Sequence, residues 1–443
     1  MNQLDQLAAL LRFPSISAQA EHAADVSECA DWLVDKLSGM GLDVKKYSTP
    51  KHPIVVAKSE KIEGKPTVLI YGHYDVQPVD PIELWTSAPF EPEIRDGKIF
   101  ARGATDNKGQ FFAHILGVEA LLKENAGQLP VNVIFLLEGE EEIGSGSLYG
   151  FMKEHKDELA CDVILVSDTG MAGMDAPTFS YGLRGMACAE ILVKGPSADL
   201  HSGSFGGAVK NPITALCELV NSFHDEHGKV AVAGFYDDVA PIAAWEKSMW
   251  STVPGMSAKD LEELTGAKEV VTEDGFTAAE CIYARPTLEI NGMGGGYQGE
   301  GSKTIIPSNA FAKISCRLVP NQNPDVIMGL LKAHVEKHAP KGVEVKFVPG
   351  HTGDAYACDP HSEYGQAAQQ ALEAVFGNKP VLIREGGSIP IIAEMKKVLG
   401  ADAMMLGMGL PDARIHSPNE NFSVELFLKG IELSQSLLRR LGQ

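Results

Sequence analysis

The sequence predicts an α/β protein in which a mixed sheet is sandwiched by helices and interrupted by an inserted α+β domain. Three observations predict it. Over about the first 175 residues, apolar β-branched runs alternate with stretches of helical periodicity, the pattern of strands joined by crossover helices. After about residue 178 the runs look like antiparallel strands separated by helical stretches and a glycine-rich segment. Near the end, an apolar-spaced helix restores the character of the first part. We therefore expect one domain from 1–178 plus 387–443 and an insert over 179–386.

The elements follow in order. Residues 1–12 read as a short amphipathic helix with an early acid and no basic lead, unlike a signal peptide. Val26, Cys29, Ala30, Leu33, Val34 and Leu37 mark one face of a helix over 23–40. Residues 65–71 read as a central strand, and 94–100 as a hairpin with Asp96-Gly97 at its turn. Phe111, Phe112, Ile115, Val118, Leu121 and Leu122 recur at helical spacing. Strands are expected at 131–137 and 162–166, then at 185–193 and 311–319 in the insert. Glu385-Gly386-Gly387-Ser388-Ile389-Pro390 resembles a hinge, and 424–441 reads as the closing helix.

At 443 residues the chain is too long for one ordinary core. No run of apolar residues is long enough to span a membrane. Lys and Arg number 38 against 59 Asp and Glu, a net charge of −21 that opposes binding to a phosphate backbone. The seven cysteines are scattered, odd in number and form no CxxC, so buried free thiols in a reducing, cytoplasmic compartment are expected.

The chemistry concentrates where strands end. Glu138-Gly139-Glu140-Glu141-Glu142 follows the apolar run 131–137, and like charges crowded at a strand end persist when a cation sits among them. His73 and Asp75 share one face at the end of another strand, which lets Asp75 accept from the ring nitrogen that does not bind metal. Asp106 lies in Gly103-Ala104-Thr105-Asp106-Asn107, Asp168 follows the strand at 162–166, and His416 lies in a loop. Each has a plain structural alternative: Asp106 a helix N-cap, the glutamates solvated acids, Asp168 and His416 loop residues. Their coincidence at strand ends points instead to two divalent cations about 3.5–4 Å apart, sharing a carboxylate. Oxygen and imidazole ligands without thiolate fit zinc, with manganese or cobalt as alternatives. Of the adjacent glutamates, one serves as ligand and the other stays free as base.

Two phosphate motifs fail. Gly299-Glu300-Gly301-Ser302-Lys303-Thr304 has Ser302 between the Gly and Lys of a P-loop and is followed by Ile305-Ile306-Pro307, no helix start. Gly292-Met293-Gly294 lacks a βαβ setting, so both are read as loops.

With these residues placed, the chain resembles the carnosine dipeptidase and acetylornithine deacetylase family of co-catalytic metallopeptidases almost end to end. The resemblance is carried by Gly-His-Tyr-Asp-Val-Gln-Pro at 72–78, Arg-Gly-Ala-Thr-Asp-Asn-Lys-Gly at 102–109, Glu-Gly-Glu-Glu-Glu-Ile-Gly-Ser at 138–145, Asp-Leu-His-Ser-Gly at 199–203 and Arg-Glu-Gly-Gly-Ser-Ile-Pro at 384–390. It implies His73, Asp106 and Asp168 on one metal and Asp106, Glu142 and His416 on the other. Glu141 would be the acid/base, Asp75 the residue behind His73, and the Asp106–Asn107 peptide cis. The insert would be a lid and dimerisation domain, with His201 reaching the site of the second subunit of a homodimer and donating to the developing oxyanion. Arg317 would hold the substrate carboxylate. Thr304, His351, Glu385 and Ser388 are further substrate candidates; Asn309 is another.

The long insert, Tyr74 in His-Tyr-Asp and the step Asp199-Leu200-His201 resemble the dipeptidase branch. Hydrolysis of small peptides, dipeptides foremost, is therefore the expected function. An N-acyl-amino-acid deacylase is the alternative within the class, and a non-catalytic binding relative the alternative outside it. A metal-dependent phosphatase or nuclease could use similar ligands, but the acidic balance opposes it.

Overall fold

The computed structural model describes residues 2–387 and 389–443. They form two compact units, one of 1–181, 358–383 and 391–443, the other of 182–357 and 384–390.

The first unit is built on a mixed sheet. Its strands run in the order Asp43–Tyr47, Ile54–Lys58, Asn132–Glu138, Thr67–His73, Val163–Val166, Asp402–Met405 and Thr178–Leu183, with Val381–Glu385 beside the last. Thr67–His73 is parallel to both neighbours, with His73 opposite Glu138 and Tyr71 opposite Val166. The strand Asn132–Glu138 is buried throughout, as its unbroken apolar run requires between two helical layers. At the edge, Asp43–Tyr47 and Ile54–Lys58 run antiparallel.

Helices cover the sheet through the faces their spacing specifies. Ala23–Gly39 buries Val26, Cys29, Ala30, Leu33 and Leu37; Val34 is only half-buried. Lys108–Glu124 and the closing helix Val424–Leu441 pack closely: a Cβ on Gly117 would lie 2.5 Å from that of Ser434. The hairpin at 93–100 turns on Asp96 and Gly97, at φ 47° and 75°, the two left-handed residues of a type I′ turn.

The second unit holds a four-stranded antiparallel sheet ordered Thr287–Gly295, Asn309–Leu318, Gly185–Lys194 and Glu344–Gly353. Leu216 and Leu219 of helix Pro212–Asn221 and Ile327 and Leu331 of helix Pro324–His338 bury its inner face with Ile191 and Ile314.

Three expectations are corrected. Residues 358–383 belong with the first unit, not with the insert. Helix Glu363–Phe376 buries Ala368, Ala371, Leu372 and Phe376 and packs along the closing helix. Gly292–Gly294 is not a loop but the end of a strand, bulged between Ile290 and Gly292. Gly294 is required there because a Cβ would meet the Phe311 ring at 2.7 Å. All seven cysteines are free, yet only Cys29 and Cys316 are buried; Cys217 is exposed. No helix among the described residues is long and apolar enough to cross a membrane.

Candidate metal centre

The parallel strands deliver their carboxyl ends side by side. His73 closes one, Asp168 lies two residues beyond Val166 of the next, and Glu138 leads on the other side into the 3-10 turn Glu141–Ile143. Gly139 lets that chain pass, since a Cβ would sit 2.8 Å from the Tyr74 ring. Asp106 enters just before the helix Lys108–Glu124, and His416 from the loop preceding Asn421–Ser423. His416 holds φ 58°, a left-handed conformation uncommon for a side-chain-bearing residue.

These side chains form two clusters. His73, Asp106 and Asp168 present ligand atoms within 4.8 Å of one another, and so do Asp106, Glu142 and His416. His73 Nε2 lies 3.1 Å from Asp106 Oδ1 and 3.6 Å from Asp168 Oδ1. His416 Nε2 lies 2.9 Å from Asp106 Oδ2 and 3.3 Å from Glu142 Oε2. Asp106 thus addresses one imidazole with each oxygen, the position a shared ligand needs. The Asp106–Asn107 peptide is cis.

Electrostatics follow from the crowding. Burial pushes the Asp168 carboxyl up to about 6. Burial likewise raises Glu141 well above the carboxylate range, aided by Asp168, Glu142 and Asp106 and opposed by His73. The hydrogen bonds to Asp106 and Glu142 raise the His416 imidazole to about 10. For His73, burial works downward but is outweighed by Asp168, Asp106 and Asp75. In Asp106, burial is overcome by His416 and His73, which hold the carboxyl below its usual range. Positive charge among these carboxylates is therefore strongly favoured. Glu142 Oε1 is buried without a hydrogen-bond partner, which leaves its lone pairs for a cation. An oxygen and imidazole set with one unfilled buried oxygen fits divalent metal.

Supporting residues fix the clusters. His73 Nδ1 lies 3.1 Å from the Asp75 carbonyl oxygen and 3.4 Å from its carboxylate. The Asp75 carboxylate also accepts from Glu141 N at 3.2 Å and Glu142 N at 3.1 Å. The Glu141 carboxylate belongs to neither cluster and has no hydrogen bond among the described residues.

Four residues to which the sequence assigned no individual role also contribute. Asn107 Nδ2 donates to Asp168 Oδ1 at 2.8 Å, and Gln77 Nε2 to Glu142 Oε2 at 2.8 Å. Glu138, accepting from Tyr71 Oη and Ser145 Oγ, is pushed up by burial to about 8. Glu420 is fully buried beneath Asp106. Its signal was an acid set beside Asn421-Phe422, four residues after His416.

The remaining candidates lie in the second unit. His201 is exposed on the short strand Leu200–His201, its Nδ1 accepting from Gly203 N at 3.0 Å. That strand pairs with Ile305–Ile306, and Ser202 N donates to the Thr304 carbonyl at 3.0 Å. Arg317 sits opposite Met186 and Thr287, and Asn309 starts its strand. His351 Nε2 lies 3.4 Å from Cys188 Sγ, and the Arg317 charge acts on that same thiol. Glu385 ends the strand Val381–Glu385, where its charge helps burial raise the Tyr283 phenol. Ser388 lies outside the described residues.

Comparison with known proteins finds relatives along nearly the whole chain. A model of peptidase family M20/M25/M40 matches residues 69–440. A Cys-Gly metallodipeptidase of Schizosaccharomyces pombe is 34% identical over 97% of this chain and 93% of its own. A Beta-Ala-His dipeptidase of Mus musculus is 33% identical over 92% of this chain and 86% of its own. Among solved structures, the M20 family metallo-carboxypeptidase Sso-CP2 of Sulfolobus solfataricus is 33% identical with TM-score 0.85, covering 100% of this chain and 99% of its own.

Proposed function

Because the chain belongs to peptidase family M20/M25/M40, we propose that it is a dipeptidase hydrolysing unblocked dipeptides with two divalent cations, zinc foremost and manganese or cobalt next. The observation that carries this reading is the pair of clusters sharing Asp106, with Glu141 beside them and bound to neither. His73, Asp106 and Asp168 would hold one cation and Asp106, Glu142 and His416 the other. When bound, such a pair acidifies water and polarises the scissile carbonyl.

The protein's own groups do the rest. Glu141 takes the proton of the attacking water and passes it to the leaving amine. In the metal-free protein burial raises its affinity for a proton, and the adjacent cations, when bound, would oppose that rise. Asp75 fixes the base relative to the ligands, because one carboxylate accepts from the backbone of Glu141 and Glu142 while facing His73. Arg317 holds the substrate carboxylate as a guanidinium fork. His201, supplied by the second copy in a homodimer, donates to the oxyanion. Thr304, His351, Glu385 and Ser388 complete the substrate contacts. Seven free cysteines support a cytoplasmic setting.

The names of the S. pombe and mouse relatives support dipeptide substrates. Likeness to the S. solfataricus enzyme favours a second reading, release of a carboxyl-terminal residue from longer peptides. A panel separates them: unblocked dipeptides, including Cys-Gly and β-Ala-His, longer peptides and N-acetyl amino acids, each with Zn2+, Mn2+ or Co2+. Dipeptides should turn over fastest. Turnover confined to longer peptides or acetylated amino acids would overturn the proposal.

A further inference from the structure

We propose that Glu420 is a positioning residue for this reaction, setting the backbone of 102–106 so that Asp106 faces His73 and His416 together. The inference rests on reading Asp106 as the shared ligand. Four donors converge on the Glu420 carboxylate, which is 0% exposed. Arg102 Nη1 at 2.8 Å and Gly103 N at 3.0 Å reach Oε2, while Thr105 N at 2.9 Å and Asp106 N at 3.0 Å reach Oε1. Three of the four are amides of one loop that neither helix nor sheet satisfies. A carboxylate binds such amides about twice as strongly as a neutral acceptor.

A purely structural role would make Glu420 the counter-ion of buried Arg102 and nothing more. The distribution of bonds argues against it. Arg102 occupies one oxygen and also donates from Nη2 to the Pro78 carbonyl at 2.9 Å. The other oxygen is given wholly to Thr105 and to Asp106, the ligand-bearing residue itself. Further bonds clasp the same two strands of chain: Thr105 Oγ1 donates to the Asn421 carbonyl at 2.7 Å, and Ala101 N to the Glu420 carbonyl at 3.1 Å. Glu420 lies four residues beyond His416, so it couples the loop carrying one ligand to the loop carrying another. That coupling sets the 2.9 Å approach of His416 Nε2 to Asp106 Oδ2.

The test is Glu420→Gln, which keeps the volume but turns an amide N–H group toward one pair of donors. The metal-free full-length protein is titrated with Zn2+ by calorimetry, and the Co2+ absorption spectrum is recorded. Because Asp106 is common to both clusters, affinity should fall about 10–100-fold at both equivalents, the usual effect of losing a partner behind a ligand. Asp168→Asn, the comparison, should weaken one equivalent only. A structural role would lower the melting temperature and leave affinity and spectrum of the folded protein unchanged. If Glu420→Gln does not fold, Glu420→Asp carries the same measurement, since it keeps the charge beside Arg102 but is too short to serve both sets of donors. A folded variant with both affinities within about threefold of the parent, or with one equivalent alone weakened, overturns the inference. A parent protein that fails to take up two equivalents overturns the reading of the site instead.

Discussion

Replacing Glu141 with Gln tests its proposed role in proton transfer. Its carboxylate has no hydrogen bond among the described residues and belongs to neither cluster, so the substitution removes a titratable group and little else. The backbone bond that places it, Glu141 N to Asp75 Oδ1 at 3.2 Å, survives because it does not involve the side chain. Loss of a positioned base typically costs about 10²–10⁴ in rate, equivalent to roughly 3–5 kcal/mol of barrier. Folding stability should move the other way. Burial raises the carboxyl above its unfolded value, so the folded protein binds that proton more tightly and loses stability as pH climbs past the unfolded pKa. Gln removes this loss, and the metal-free variant should melt no lower than the parent at pH 7. The assay is kcat and KM on a dipeptide, beside metal content and a melting curve. Turnover within about threefold of the parent would take Glu141 out of the mechanism, and loss of metal would make it a ligand.

Three further outcomes follow from neighbouring contacts. Asp75→Asn leaves one of the Glu141 and Glu142 amides without its acceptor and should weaken metal retention about 10–100-fold, read by dialysis against a chelator. Glu138, pushed up to about 8 by burial, should make the metal-free protein lose stability between its unfolded pKa near 4.5 and about pH 8, by at most roughly 5 kcal/mol. Its stabilisation is fully present below that window, because the folded carboxyl holds its proton more tightly, and Glu138→Gln should flatten the curve of melting temperature against pH. Gly139→Ala forces a Cβ to 2.8 Å from the Tyr74 ring and should cost about 1–3 kcal/mol by chemical denaturation; an unchanged midpoint would show that the ring yields freely.

What the sequence made legible was local. The strand-end acids, the helices at 23–40 and 424–441, and the Asp-Gly hairpin each carry their signal within a few residues, through periodicity or turn chemistry. What stayed hidden depends on distant partners. Helix Glu363–Phe376 has the same amphipathic pattern whichever unit it covers, and only its packing on Val424–Leu441 assigns it to the first. Gly292–Gly294 reads as a loop because no βαβ pattern frames it and its glycines permit unusual backbone angles, until the Phe311 ring claims the space where a side chain would lie. Glu420 looks like one more surface acid until three amides of a loop far away in sequence are found to need it.

The same distinction explains why the ligand types and their coincidence at strand ends were readable, while the strand order that brings them together was not. Side-chain chemistry proposes His73, Asp106, Glu142, Asp168 and His416, but nothing along the chain says which strands are neighbours. The sheet decides that by placing Thr67–His73 between Asn132–Glu138 and Val163–Val166 in parallel register, so that three carboxyl ends open toward one place. An antiparallel partner on either side would have brought an amino end there and carried its acids to the opposite edge of the sheet. Asp106 and His416 lie on no strand, and they are joined to the site through Glu420, whose carboxylate binds the Asp106 amide from the loop that carries His416. The parallel register of the central strands therefore accounts for Asp168 and the glutamates, while the clasp between two loops accounts for the ligand that both clusters share.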